Sequence, residues 1–156
     1  MVSPLVGLHV AISELGILMF IWAFIEIFAG SNGSAKRART AVLLGTIIFF
    51  LSWFTGGYYY VNTYGPEVKP VIKAGPQPWA HGVVMEAKEH IFLILPILAL
   101  ATLFFVGEYG KDALKKKDTR KGLLILIGLN IAIGILMAVF GYFISSGFRS
   151  ALEAAA

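Results

Sequence analysis

Cysteine is absent from the 156-residue chain, which excludes disulfides, iron–sulfur clusters and thiolate metal sites. Charge is scarce too: 14% of residues are Asp, Glu, Lys or Arg, against 58% that are hydrophobic, and mean hydropathy is +0.79. A soluble domain of this size must coat itself with polar side chains, and this chain has too few. Histidine occurs three times, so at most one site built on two imidazoles fits. No internal repeat or low-complexity tract is present.

What the chain does have is four long apolar runs, at about residues 5–29, 41–61, 83–106 and 122–147, the third inside an expected helix of about 79–106. About 20 apolar residues span the ~30 Å hydrocarbon layer of a bilayer, and each run suffices. Short amphipathic helices lying in the interface are the competing reading. The runs are apolar around most of their circumference, which argues against it. No basic residue precedes the first run, which carries Glu14 and Glu26 and is too long for a signal peptide. It is expected to be a mature helix. The sequence thus predicts a single all-α domain over residues 1–156, an integral membrane four-helix bundle in the inner (plasma) membrane.

Orientation follows from the connections. Residues 31–40 hold Lys36, Arg37 and Arg39, and residues 107–121 hold six more basic side chains, so nine of the thirteen lie in two segments that must share a side. Basic loops stay in the cytoplasm. An up-down-up-down bundle with both termini on the non-cytoplasmic side (N-out/C-out) is expected. The Lys115–Lys117 cluster fixes topology and gives no reason to expect nucleic acid. Trp53 and Tyr58–Tyr60 form an aromatic belt at the outer boundary. Residues 62–77 contain Pro66, Pro70 and Pro76, and they read as an ordered but irregular cap over the bundle mouth. The third helix begins at Pro78 or Trp79, with Pro96 expected to kink it. Gly134 and Gly141, seven apart, predict a small-residue packing seam on the fourth.

Ionisable groups at membrane depth cost about 2.5–3.5 kcal/mol each by insertion scales, so each needs a reason. His9 lies ~28 Å and Glu14 ~21 Å up the first helix from Phe28, and His90 ~24 Å and Glu86 ~30 Å up the third from Val106. Two helices thus place imidazoles and acids in one outer layer. Glu86 and His90 are i, i+4 and share a face, with Glu89 adjacent, whereas His81 and His90 are about 180° apart. The expected cross-bundle pair is His9 with His90, as axial ligands of one haem b. Gly7, Gly16 and Gly82 are places for a flat macrocycle to approach. Glu14, Glu89 and His81 are the candidates for a proton relay or for orienting a ligand. The plan resembles that of small membrane b-type cytochromes, and the resemblance implies electron transfer, with a quinone or another redox protein as partner.

Other readings remain open. His9, Glu86 and His90 form a mixed imidazole and carboxylate set suited to a zinc, copper or iron ion. The four-residue spacing of Glu86 and His90 departs from the Glu-x-x-His of di-iron bundles. Proton passage through Glu14 and Glu86 would need an oligomer. A cofactor-free accessory subunit of a larger respiratory or photosynthetic membrane complex also suits so small a chain. In the plainest reading the histidines bond headgroups, and Glu26 snorkels toward Lys36 and Arg37.

Overall fold

Lipid offers the backbone no hydrogen-bond partner, and this chain answers with helix almost throughout. The computed structural model describes residues 4–156. Four helices are long and apolar enough to cross a membrane: α1 (Pro4–Ala29), α2 (Ser34–Ala74), α3 (Ala80–Ala113) and α4 (Lys117–Ala154). No strand occurs among the described residues. They form a helical bundle in which α1 packs on α2 and α4, and α3 packs on the same two.

The turn between α1 and α2 is possible because Gly30 and Gly33 adopt left-handed φ of +63° and +80°, where a side chain would be strained. Arg120, at the start of α4, reaches back to donate to the carbonyls of Ile27 and Phe28, which α1 leaves unpaired at its C-terminus. Glu26 accepts from Arg37 Nε at 2.8 Å and from Trp22 Nε1 at 3.1 Å, so its expected partner among the basic residues is Arg37.

The segment read as an irregular cap is helical instead. α2 continues through a π-helical stretch, Tyr60–Val68, and a final α-helical turn, Lys69–Ala74, leaving helix only at Gly75. A proline loses one donor and crowds the preceding turn. Here Pro66 sits inside the wider π turns, and Pro70 lies in the first turn of the segment that follows, where its N–H is not missed. α3 likewise opens with a π segment, Ala80–Met85, and runs on to Ala113. α4 is longer at both ends than the apolar run that announced it.

These extensions create a mismatch. α2, α3 and α4 have 41, 34 and 38 residues, or ~50–60 Å, while α1 has 26, or ~39 Å. At the end where α1 begins, three helices continue past the fourth. Their own small core of Tyr64, Val68, Ile72, Ala80, Val84 and Ile144 closes that tier.

The half of the bundle nearer the Gly30–Gly33 turn is packed solid. Phe20 of α1 and Phe49 of α2 stack with centroids 5.1 Å apart. Each ring lies on the other helix's glycine: a Cβ at Gly16 would meet Phe49 at 2.6 Å, and one at Gly45 would meet Phe20 at 2.8 Å. Gly134 of the expected seam does the same for Ile17, at 2.8 Å, whereas Gly141 faces open space apart from the Lys88 amine. Thr46 donates to Val42 O and Ala99 O, and Asn130 donates to Thr102 Oγ1 at 2.7 Å, which ties α2, α3 and α4 through buried polar groups. Gly16→Ala and Gly45→Ala should each destabilise the protein by about 1–3 kcal/mol through overpacking. Gly122→Ala, with open space around it, should be neutral or slightly stabilising. Unfolding titrations in detergent compare the three.

Candidate functional site

His9 stands in the second turn of α1, where the bundle loosens. Its ring lies over Gly56 of α2, close enough that a Cβ there would sit 2.7 Å from Cε1. Nδ1 is 3.0 Å from the Ser52 carbonyl oxygen, which only accepts, so Nδ1 carries the proton and donates. Ser13 Oγ donates to the His9 carbonyl at 2.7 Å and lies 2.6 Å from Ser52 Oγ. In the neutral ring this leaves Nε2 as the free acceptor, a tautomer fixed by the backbone.

Two cavities meet at this imidazole. The upper one, about 320 Å³, lies toward the three-helix tier and is lined by Tyr59, Tyr60, Tyr64, Lys88, Glu89 and Phe148, among others. The lower one, about 330 Å³, lies between α1 and α4 and is walled by Gly134, Ala138 and Gly141, a stripe of small residues at i, i+4 and i+7. Glu14, Tyr142 and Arg149, all exposed, line it as well. His9, Lys88, Phe92, Gly141 and Ser145 line both. Pro96 borders the lower cavity, and its missing N–H frees the Phe92 carbonyl one turn earlier.

The other expected site residues are distributed differently. His90 is exposed and lines neither cavity; its Nδ1 turns back to the Glu86 carbonyl oxygen at 2.6 Å. Glu86 is exposed on the same face. The expected pair His9 with His90, and the set His9, Glu86 and His90, are therefore not brought together. The reason is helical phase. Met85, Lys88, Glu89 and Phe92 share the stripe of α3 that faces the chamber, and residues 86 and 90 are turned about 100–140° away from it, on the exposed side. No group of three or more His, Asp or Glu side chains disposed around one point occurs among the described residues. His81 is buried, with Nδ1 3.0 Å from the Tyr64 hydroxyl, in the tier above the chamber. Glu14 and Glu89 do reach the chamber, one at each cavity, and Glu89 Oε1 is buried with no hydrogen-bond partner among the described residues.

Against this geometry, comparison with known proteins is silent: no protein-family model, no curated protein and no solved structure matches the chain.

Lys88 is the residue that sequence reasoning passed over. Its amine crosses the chamber to within 3.4 Å of where a Cβ of Gly141 would stand. The signal was available in Phe92 and Pro96, which continue the same stripe of α3 and mark it as the inward face. The seat of His9 should be sensitive to one methyl. Gly56→Ala should displace the ring from Ser52 and lower stability by about 1–3 kcal/mol. Gly57→Ala, with nothing within 4 Å, should leave both unchanged. Side-chain NMR of the His9 ring and detergent unfolding read the two effects.

Proposed function

We propose that the chain is a four-span, up-down-up-down electron-transfer protein of the inner membrane, with His9 as the one protein imidazole on a haem b held in the lower cavity. The observation that carries this reading is the fixed tautomer of His9. An imidazole whose Nδ1–H is held by a backbone carbonyl offers Nε2 in the state that iron binds, with its ring plane already set. The residues around it fit the group. Ala138 and Gly141 give a stretch of wall without large side chains for a flat macrocycle, and Lys88 and Arg149 are the cations in the lining for its carboxylates. Cavities of this size fall within the usual range for small-molecule sites. When bound, the haem would supply one-electron chemistry. The chain's own part is to ligate through His9, to keep that ring oriented through Ser52, and to exclude water with apolar walls.

A single imidazole has a spectroscopic signature. Purified protein should show a Soret band with the broad, weak reduced α-band of five-coordinate iron and should bind carbon monoxide. His9→Ala should lose the haem, while His90→Ala should retain it unchanged. A sharp low-spin spectrum lost in both variants would return His90 to the site and overturn the single-ligand reading. A colourless preparation overturns the haem altogether. Stoichiometric zinc or copper in it would favour a metal ion, although one histidine is a poor shell for either, and a metal-free one would favour an accessory subunit.

The same reading places the basic turns in the cytoplasm and both termini outside, since the turn-end positions Lys36, Arg37, Arg39 and the residues of 111–121 carry most of the positive charge. The exposed Tyr58 and Phe54 suit the outer headgroup level. With no native cysteine to interfere, single cysteines at Lys116 and at Gln77 report directly. In right-side-out cells or spheroplasts, a membrane-impermeant maleimide should label Gln77→Cys and spare Lys116→Cys. The opposite pattern inverts the topology.

A further inference from the structure

The upper cavity is not used by the haem reading, and its chemistry is specific. It lies beside the first described turns of α1, next to the tier built on Tyr64 and Val68. Aromatic rings wall it: Tyr59, Tyr60, Tyr64, Phe92 and Phe148. Its ionisable side chains are Lys88, Glu67 and Glu89, beside a neutral His9 whose Nδ1 already donates to Ser52. An anionic guest would meet the two acids and a hydrocarbon would meet neither polar need, which favours an uncharged guest that carries both a donor and an acceptor. Lys88 only donates; the buried Glu89 Oε1, when ionised, only accepts and has nothing to accept from. The Tyr60 hydroxyl lies close to the same carboxyl.

We infer that the upper cavity binds the head of a lipid-soluble p-quinol, with Lys88 donating to one ring oxygen and Glu89 accepting from a hydroxyl, the ring packed among the tyrosines and Phe92. A neutral ring that carries both an acceptor and a donor satisfies both side chains at once. A fatty acid would satisfy Lys88 and confront Glu67 and Glu89, and a hydrocarbon would leave Glu89 Oε1 buried and unpaired. The aliphatic tail has a way out past Val6 at the start of α1 and Val61, which is 70% exposed. The site shares His9, Lys88 and Phe92 with the lower cavity, and Glu89 lines the upper one but not the lower, so Glu89→Gln is the variant that separates it from the haem reading.

Equilibrium dialysis of a decyl p-benzoquinol against the full-length chain in nanodiscs tests the assignment. Saturable one-to-one binding is expected, weakened about tenfold or more in Glu89→Gln and in Lys88→Met, as for the loss of one charge-assisted hydrogen bond. Glu86→Gln, at an exposed position outside the cavity lining, should bind as wild type does. Unchanged thermal unfolding of the variants separates lost binding from lost fold, and an unchanged Soret band in Glu89→Gln separates this site from the one at His9. Absence of saturable binding to the wild type overturns the inference, as do folded Glu89→Gln and Lys88→Met variants that bind like wild type. Displacement of the quinol by decanoate or decylbenzene at equal concentration would also overturn it, since the cavity would then be reading a carboxylate or an alkyl chain alone.

Discussion

Within hydrocarbon every backbone amide must find its partner inside the same helix, and this requirement sets helix length before any side chain is considered. α1 is about as long as one crossing demands; α2, α3 and α4 are longer. Most of the excess is at the end away from the short turns at residues 30–33 and 114–116. Beside the first described turns of α1 the bundle is loosely filled, and the cavities around His9 lie there. Their polar lining comes from residues near the ends of the crossings, where charge is cheapest, and their roof is the three-helix tier built on Tyr64, Ile72 and Val84.

Between helices, lipid gives no hydrophobic drive to associate, so contact must be close to be worth anything. The solid half of the bundle achieves closeness by reciprocity: Phe20 over Gly45 and Phe49 over Gly16, with Ile17 over Gly134. Buried threonines and Asn130 add hydrogen bonds across α2, α3 and α4. Toward the open end, glycine is used for a different purpose. Gly56 receives an imidazole and Gly141 an amine tip, so the room that a missing side chain leaves is given to polar groups instead of to an apolar ring. One residue type thus makes the rigid half tight and the other half receptive.

The four long apolar helices were legible because a run of twenty apolar residues has few alternatives, and the end of α1 at Ala29 was signalled by Gly30. The extension of α2 was not. Four prolines and two glycines between Tyr64 and Pro78 read as a helix breaker by local propensity, yet π-helical turns and the packing of Tyr64 and Val68 override it. His9 could be found from depth alone, since an imidazole that far from either loop needs a partner. The pairing with His90 could not be settled from depth, because Glu86 and His90 share a face whichever way that face points. Spacing gives relative phase; only packing gives absolute phase. The stripe of Phe92, Leu95 and Pro96 held that information, and residues 88 and 89 ride with it.

Two buried acceptor atoms lack a hydrogen-bond partner among the described residues, Asn130 Oδ1 and Glu89 Oε1, and their settings differ in a way that bears on function. An unmet buried acceptor costs about 1–3 kcal/mol, more where charge is involved. Asn130 is fully buried in the packed half and borders neither cavity; its amide nitrogen already bonds Thr102 Oγ1 and Leu126 O, so the oxygen is the remainder of a side chain recruited for its donors. Glu89 has the Tyr60 hydroxyl beside its carboxyl, yet Oε1 stays without a partner among the described residues. It lines a space large enough for a ring, together with the Lys88 amine. A cost that packing cannot recover is recovered when a donor enters. For that reason the upper cavity reads as a receptor for a hydroxyl-bearing guest and not as a defect in the core.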